Sequence, residues 1–143
     1  MCAILNLSIW HNMRSDKMRK TYTSETIDVS FEPARCIHAA ECVKGLPQVF
    51  DTKKRPWIDP ANATADQIAE VVERCPSGAL EYHRKDGKPN EHHEHTEISI
   101  GKDNQIIIKG EFTLNHNGEV IELNRAILKG GPNVSDNPFY TLD

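Results

Sequence analysis

The spacing of apolar residues changes twice along this chain. Ile27, Val29 and Phe31 alternate with Asp28 and Ser30, a period of two that predicts a half-buried strand within residues 21–31. Val49-Phe50-Asp51 and Pro56-Trp57-Ile58 read as further extended pieces around a basic tip at Lys53-Lys54-Arg55. That tip reads as a solvated hairpin end or as a partner-docking patch. Beyond it the period lengthens. Ile68, Val71 and Val72 stand at i, i+3 and i+4, one apolar face of a helix. Thr64 is placed as its N-cap and Gln67 completes a capping box. Arg74 suits the negative end of the helix dipole. Pro76 stops the helix, because the residue before a proline resists the α region. Ser77-Gly78 turns the chain, and Ala79-Leu80-Glu81-Tyr82 returns as a strand. A shorter helical turn is expected over Cys42-Val43-Lys44-Gly45, ended by Gly45 and Pro47.

From residue 97 the period of two returns. Ile98-Ser99-Ile100 leads to a turn at Gly101-Lys102-Asp103-Asn104. Residues 105–109, 112–114 and 120–123 read as strands, with Asn117-Gly118 a strong hairpin signal between the last two. The predicted fold class is therefore α+β: a compact domain with one main helix, then a small antiparallel β unit. The expected divisions are an N-terminal extension (1–20), the helix-containing domain (21–84), a polar linker (85–96) and the β-rich unit (97–143). The extension is expected to be a loosely ordered tail, with Met13 and Met18 as alternative starts. The linker carries His92, His93 and His95; nothing in the sequence fixes these rings in space, so it reads as solvated rather than metal-binding.

Composition narrows the function. The chain has 143 residues, room for one domain or two small ones. A net charge of −4 and a pI near 6.0 argue against nucleic-acid binding, which favours a basic surface. Mean hydropathy is −0.57, and no apolar run is long enough to span a membrane. Four cysteines are too sparse for a secreted disulfide framework, and no secretory signal is read before them. The expected setting is a reducing cytoplasm.

Three of those cysteines carry the candidate chemistry. Cys36 and Cys42 lie in Cys36-Ile37-His38-Ala39-Ala40-Glu41-Cys42, and Cys75 opens Cys75-Pro76-Ser77-Gly78. Thiolates are the soft ligands that iron–sulfur clusters take. In bacterial ferredoxins the cysteine before a proline reaches a cluster otherwise held elsewhere in the chain. The spacing of Cys36 and Cys42 lets one loop wrap a cluster, with backbone N–H groups available to its sulfides. Cys2 has no part in this site. Trp57 is expected in the core, where an indole shields a cluster from water. Midway between Cys36 and Cys42 stands Ala39, which cannot ligate. Three thiolates match a [3Fe-4S] cluster directly; a [4Fe-4S] cluster needs a fourth ligand, for which His38, Glu41 and solvent are candidates. His38 also reads as an exposed or outer-sphere histidine. A structural zinc site from Cys36, His38, Cys42 and Cys75 is a rival, although Cys36 and Cys42 are spaced too widely for a zinc knuckle. A disulfide or three unrelated thiols is another. No nucleophile–base pair argues for an enzyme.

In order and spacing, Cys36 to Val43, Leu46-Pro47-Gln48-Val49-Phe50, Arg55-Pro56-Trp57-Ile58 and Cys75 to Leu80 resemble the divergent [4Fe-4S] mono-cluster ferredoxin family. They are similar also to the single-cluster [3Fe-4S] ferredoxins that serve bacterial P450s. The resemblance covers about residues 21–84. It implies a ferredoxin-like α+β fold, Cys36, Cys42 and Cys75 as ligands, and one-electron transfer. The expected partners are then a reductase and an acceptor enzyme; a sensing or protein-interaction module is the other class. Ala39 departs from the four-ligand ferredoxins.

The C-terminal stretch carries a second resemblance. Ile107 to Leu114, Gly118-Glu119-Val120 and Arg125-Ala126-Ile127-Leu128 look like the lead-in to a CDGSH iron–sulfur domain. The three cysteine positions of that domain hold Lys129, Gly131 and Tyr140, and its histidine falls beyond Asp143. A protonated lysine, a glycine and a phenol do not replace soft thiolates. This unit is expected to be metal-free and structural, packing on the ferredoxin-like part or offering a docking surface.

Overall fold

The computed structural model describes residues 19–130 and 137–140. Cys2, the alternative starts and Gly131 lie outside them. The architecture is α+β: two three-stranded antiparallel sheets, with one main helix packed on the first.

The first sheet contains β1 (Lys20–Tyr22), β2 (Ile27–Phe31) and β3 (Leu80–Arg84), in the order β1-β2-β3. The strand expected over 21–31 is thus two strands folded against each other, Tyr22 opposite Val29. Ser24 makes the turn. Its N–H and hydroxyl both donate to the Ile27 carbonyl, and its Oγ accepts from the Ile27 N–H at 3.2 Å. A serine side chain substituting for backbone in this way favours a turn over a straight ladder. Arg19 and Lys20, assigned to the tail by the sequence, belong to this sheet region. Lys20 pairs with Phe31, and the Arg19 guanidinium donates to the Gly78 and Ala79 carbonyls.

The short helix α1 spans Glu41–Gly45 and the main helix α2 spans Ala65–Glu73. The capping box at Thr64 and Gln67 is present in both directions. Ile68, Val71 and Val72 are buried, as the period predicts. Burying a side chain such as Ile68 contributes about 1.5–3 kcal/mol. These residues join Ile27, Val29, Leu46, Val49, Phe50, Ile58 and Leu80 in one core, and Cys42, Cys75 and Trp57 pack against its edge.

The second sheet contains β4 (Glu97–Ile100), β5 (Gln105–His116) and β6 (Glu119–Lys129), in that order. The two strands expected over 105–114 are one long strand with a register shift between Lys109 and Phe112. Gly110 occupies the shift at φ +123°, where a Cβ would lie 2.6 Å from the His95 carbonyl oxygen. Only glycine fits such a close approach without strain. β6 runs past the expected end at Leu123, and Phe139 bridges to Leu128.

The linker between the sheets is mostly exposed, as the sequence suggests, and two of its histidines meet carboxylates. His92 Nδ1 lies 2.7 Å from Glu111, and His93 Nε2 lies 2.8 Å from Glu91, whose side chain is 5% exposed. Among the described residues, no helix is long and apolar enough to cross a membrane.

Candidate metal centre

Cys36 follows a 3-10 turn over Pro33–Arg35, with its N–H on the Pro33 carbonyl. From there to Cys42 the chain curls tightly. His38 and Ala40 both hold left-handed backbone, φ +55° and +62°. Such conformations cost side-chain-bearing residues about 1–2 kcal/mol, and they gather at sites the surrounding fold over-determines. The curl delivers Cys42 into the first turn of α1. Cys75 comes from the other direction, just beyond α2, with its N–H on the Val72 carbonyl at 3.0 Å. Its Sγ lies 3.7 Å from the Ser77 hydroxyl.

The structure brings the three cysteines together. All are free thiols, half-buried, and all line one small cavity. Phe31, Ile37, Ala39, Trp57, Ala79 and Leu80 give that cavity an apolar wall. Trp57 meets Phe31 edge-on at 4.9 Å between ring centroids, which fixes the indole at the edge of the core. Burial pushes the Cys42 thiol up, an N–H donated by Val43 opposes it, and the neighbouring Cys75 and Cys36 add to the rise.

His38 is exposed and is not among the residues lining this cavity; Glu41 and Ala39 are. His92, His93 and His95 are not among the residues lining it either; His92 is bound to Glu111 and His93 to Glu91. Among the described residues, no three or more His, Cys, Asp or Glu side chains stand close enough to share one metal ion. A single zinc ion requires every ligand within bonding distance of one point. A cluster places separate irons before separate thiolates, and three soft donors line this one cavity. By donor chemistry and by placement, the residues present fit an iron–sulfur cluster.

Behind the Cys75 turn lie residues the sequence reading missed. Arg35 is 4% exposed and donates to the Ser77 and Arg125 carbonyls, both at 2.9 Å. Burial, and next the nearby Arg19, pull its guanidinium below the usual arginine value, while Glu81 and Glu32 oppose them. The ring of Phe139 lies 4.5 Å from the same guanidinium. Arg125, on β6, is 2% exposed and enters the same region from the second sheet. Two signals were available: Arg35 immediately precedes Cys36, and Arg125 stands directly before the apolar run Ala126-Ile127-Leu128.

Comparison with known proteins gives the same reading of the first half. The model of a family described as divergent 4Fe-4S mono-cluster matches residues 22–85. The Uncharacterized protein YjdI of Escherichia coli (strain K12) is 42% identical over 66 residues, which cover 46% of this chain and 87% of that protein. The protein of the same name from Escherichia coli O157:H7 matches to the same extent. No solved structure matches this chain.

Proposed function

The chain belongs to the divergent 4Fe-4S mono-cluster family, and from that premise we propose that it is a one-electron carrier, exchanging electrons between a reductase and an acceptor enzyme. The observation that carries the proposal is the placement of Cys36, Cys42 and Cys75 as free, half-buried thiols around one apolar cavity. These three residues would hold the cluster. When bound, the cluster supplies reversible one-electron chemistry. The chain's own part is to present thiolates, keep water back with Phe31 and Trp57, and set the local polarity, the features through which a protein tunes such a centre.

With Ala39 at the fourth position of the cavity wall, the ligand count favours a [3Fe-4S] cluster, or a [4Fe-4S] cluster with one exchangeable iron. Glu41 is the lining carboxylate that supports the second form. An oxidised [3Fe-4S] cluster is paramagnetic, whereas an oxidised [4Fe-4S]2+ cluster is EPR-silent. Anaerobic purification of the full chain, followed by iron and sulfide analysis and EPR, separates the two. A reversible potential together with electron acceptance from a reductase supports the carrier. A cluster that breaks down on oxidation and alters partner binding supports a sensing module instead. Zinc without sulfide rejects both.

A further inference from the structure

Arg125 lies 45 to 53 residues beyond the segment it touches, on a strand of the other sheet. Its guanidinium donates to three backbone carbonyls there: Val72 at 2.9 Å, Leu80 at 2.8 Å, and Cys75. Val72 lies in the last turn of α2, Cys75 follows the helix, and Leu80 begins β3. One side chain thus ties together the helix end, the thiol-bearing residue and the strand after it. The Val72 and Cys75 carbonyls already accept from the Cys75 and Gly78 N–H groups, so the guanidinium occupies their second lone pairs and adds a further restraint on the turn.

The guanidinium is itself fixed. Glu91 from the linker accepts from Nε at 2.8 Å and from Nη2 at 3.1 Å, and its side chain is 5% exposed. His93 Nε2 lies 2.8 Å from the same Glu91 oxygen, Oε1, that accepts from Arg125 Nε. The Arg125 carbonyl in turn accepts from Arg35, the residue before Cys36. Both cysteine-bearing segments are therefore attached to the same residue of β6. The match to the Escherichia coli relative covers 87% of that protein in 66 residues, which leaves it too little further chain for a unit the size of residues 97–143.

We propose that Arg125 is a positioning residue for the cluster: the C-terminal sheet, through this guanidinium and its Glu91 partner, holds the Cys75 turn in its ligating conformation. The inference rests on the iron–sulfur reading above. Bidentate and forked donation is a property of arginine that lysine does not share. Outer-sphere partners of this kind typically alter metal retention by tenfold or more.

The test uses the full-length chain, loaded anaerobically with iron and sulfide. Iron release to a chelator and the EPR line shape are compared for wild type, Arg125→Lys, and the double variant Arg125→Gln with Glu91→Gln. The double variant removes both charges, so no lone buried charge unfolds the protein. Ile68→Val, in the first half of α2, serves as the control for general destabilisation, measured by unfolding of the apoprotein. Both Arg125 variants should release iron roughly tenfold faster, with an altered EPR line shape, while the control releases it at the wild-type rate. Variants with wild-type release and line shape overturn the inference alone. So does a control that, at equal loss of apoprotein stability, accelerates release as much. A wild-type chain that takes up no iron and sulfide overturns the cluster reading and this inference with it.

Discussion

The two sheets of this protein solve the same packing problem with different means. The first covers one face with α2 and the loops around it, and encloses a core that includes Ile27, Val29, Phe50, Ile58 and Ile68. The second is a long twisted hairpin with a short third strand. It buries Ile108, Leu123, Ala126 and Ile127 and leaves Ile98, Ile100 and Val120 more than half exposed. The first half holds all three described cysteines; the second holds a buried arginine aimed at one of them. The thiols and the buried arginine that bonds the Cys75 carbonyl are thus divided between the two halves.

The largest break in this division is expected from the ligands. Cys36→Ser, Cys42→Ser and Cys75→Ser should each abolish most cluster content, measured as iron, sulfide and visible absorbance per chain. Apoprotein lacking the cluster should also unfold more easily, because ligation stabilises the folded state. Cys75→Ser with full iron would show that the site lies elsewhere.

Next comes a gain in the first half. Ala39 lines the cavity between Cys36 and Cys42, so Ala39→Cys should convert a three-iron or labile four-iron centre into a stable four-iron one. Iron per cluster after brief oxidation reads this directly. Four irons held unchanged by the wild type would point to a ligand already present in the chain.

The seam between the halves is tested at Gly78. It has φ +70°, and an added Cβ would lie 2.2 Å from the Arg125 carbonyl oxygen and 2.6 Å from the Arg35 guanidinium. Gly78→Ala combines left-handed strain with overpacking, a loss of about 2–4 kcal/mol, visible as a lower thermal midpoint. An unchanged midpoint would mean the two sheets do not meet as described. A smaller loss, about 1 kcal/mol, is expected when Thr64→Ala removes the α2 cap, and it should leave the seam intact.

The smallest effect is electrostatic and belongs to the end of the first half. Arg84 bonds Asp86 and Asp66 and holds the Asp86 carboxyl down at about 2, against an ordinary 3.8. A depressed carboxylate contributes stability above its unfolded value and loses it as pH falls through the folded one. Stability from this pair should therefore be complete above pH 4 and fade toward pH 2. Asp86→Asn should flatten the acid limb of a pH–stability profile in that window, and added salt should shrink the difference.

Much of the first half was readable in order. The capping box of Thr64 and Gln67, the buried face of α2, and the curl between Cys36 and Cys42 are local, set by side chains within a few residues of one another. The three cysteines were singled out by type and spacing, and folding brings them to one cavity. The hairpin at Asn117-Gly118 was equally plain. Short-range signals failed where two answers were locally equal. The stretch from 21 to 31 fits one strand or two, and only the Ser24 turn and the pairing of β1 with β2 select two. His38 and Glu41 looked alike as neighbours of the loop; both are exposed, and Glu41 alone of the two lines the cavity.

The amino-acid sequence by itself determined which atoms are able to ligate, because thiolate softness is a property of the side chain and not of its surroundings. It also determined the elements that carry them, since caps, prolines and periodicity act over one or two turns. Only the tertiary structure decided what stands behind those ligands. Arg125 is the buried charge of β6, and nothing local explains its burial. Its partners at Val72, Cys75, Leu80 and Glu91 are at least 34 residues away, and a buried guanidinium is stable only where folding has assembled enough acceptors to replace water.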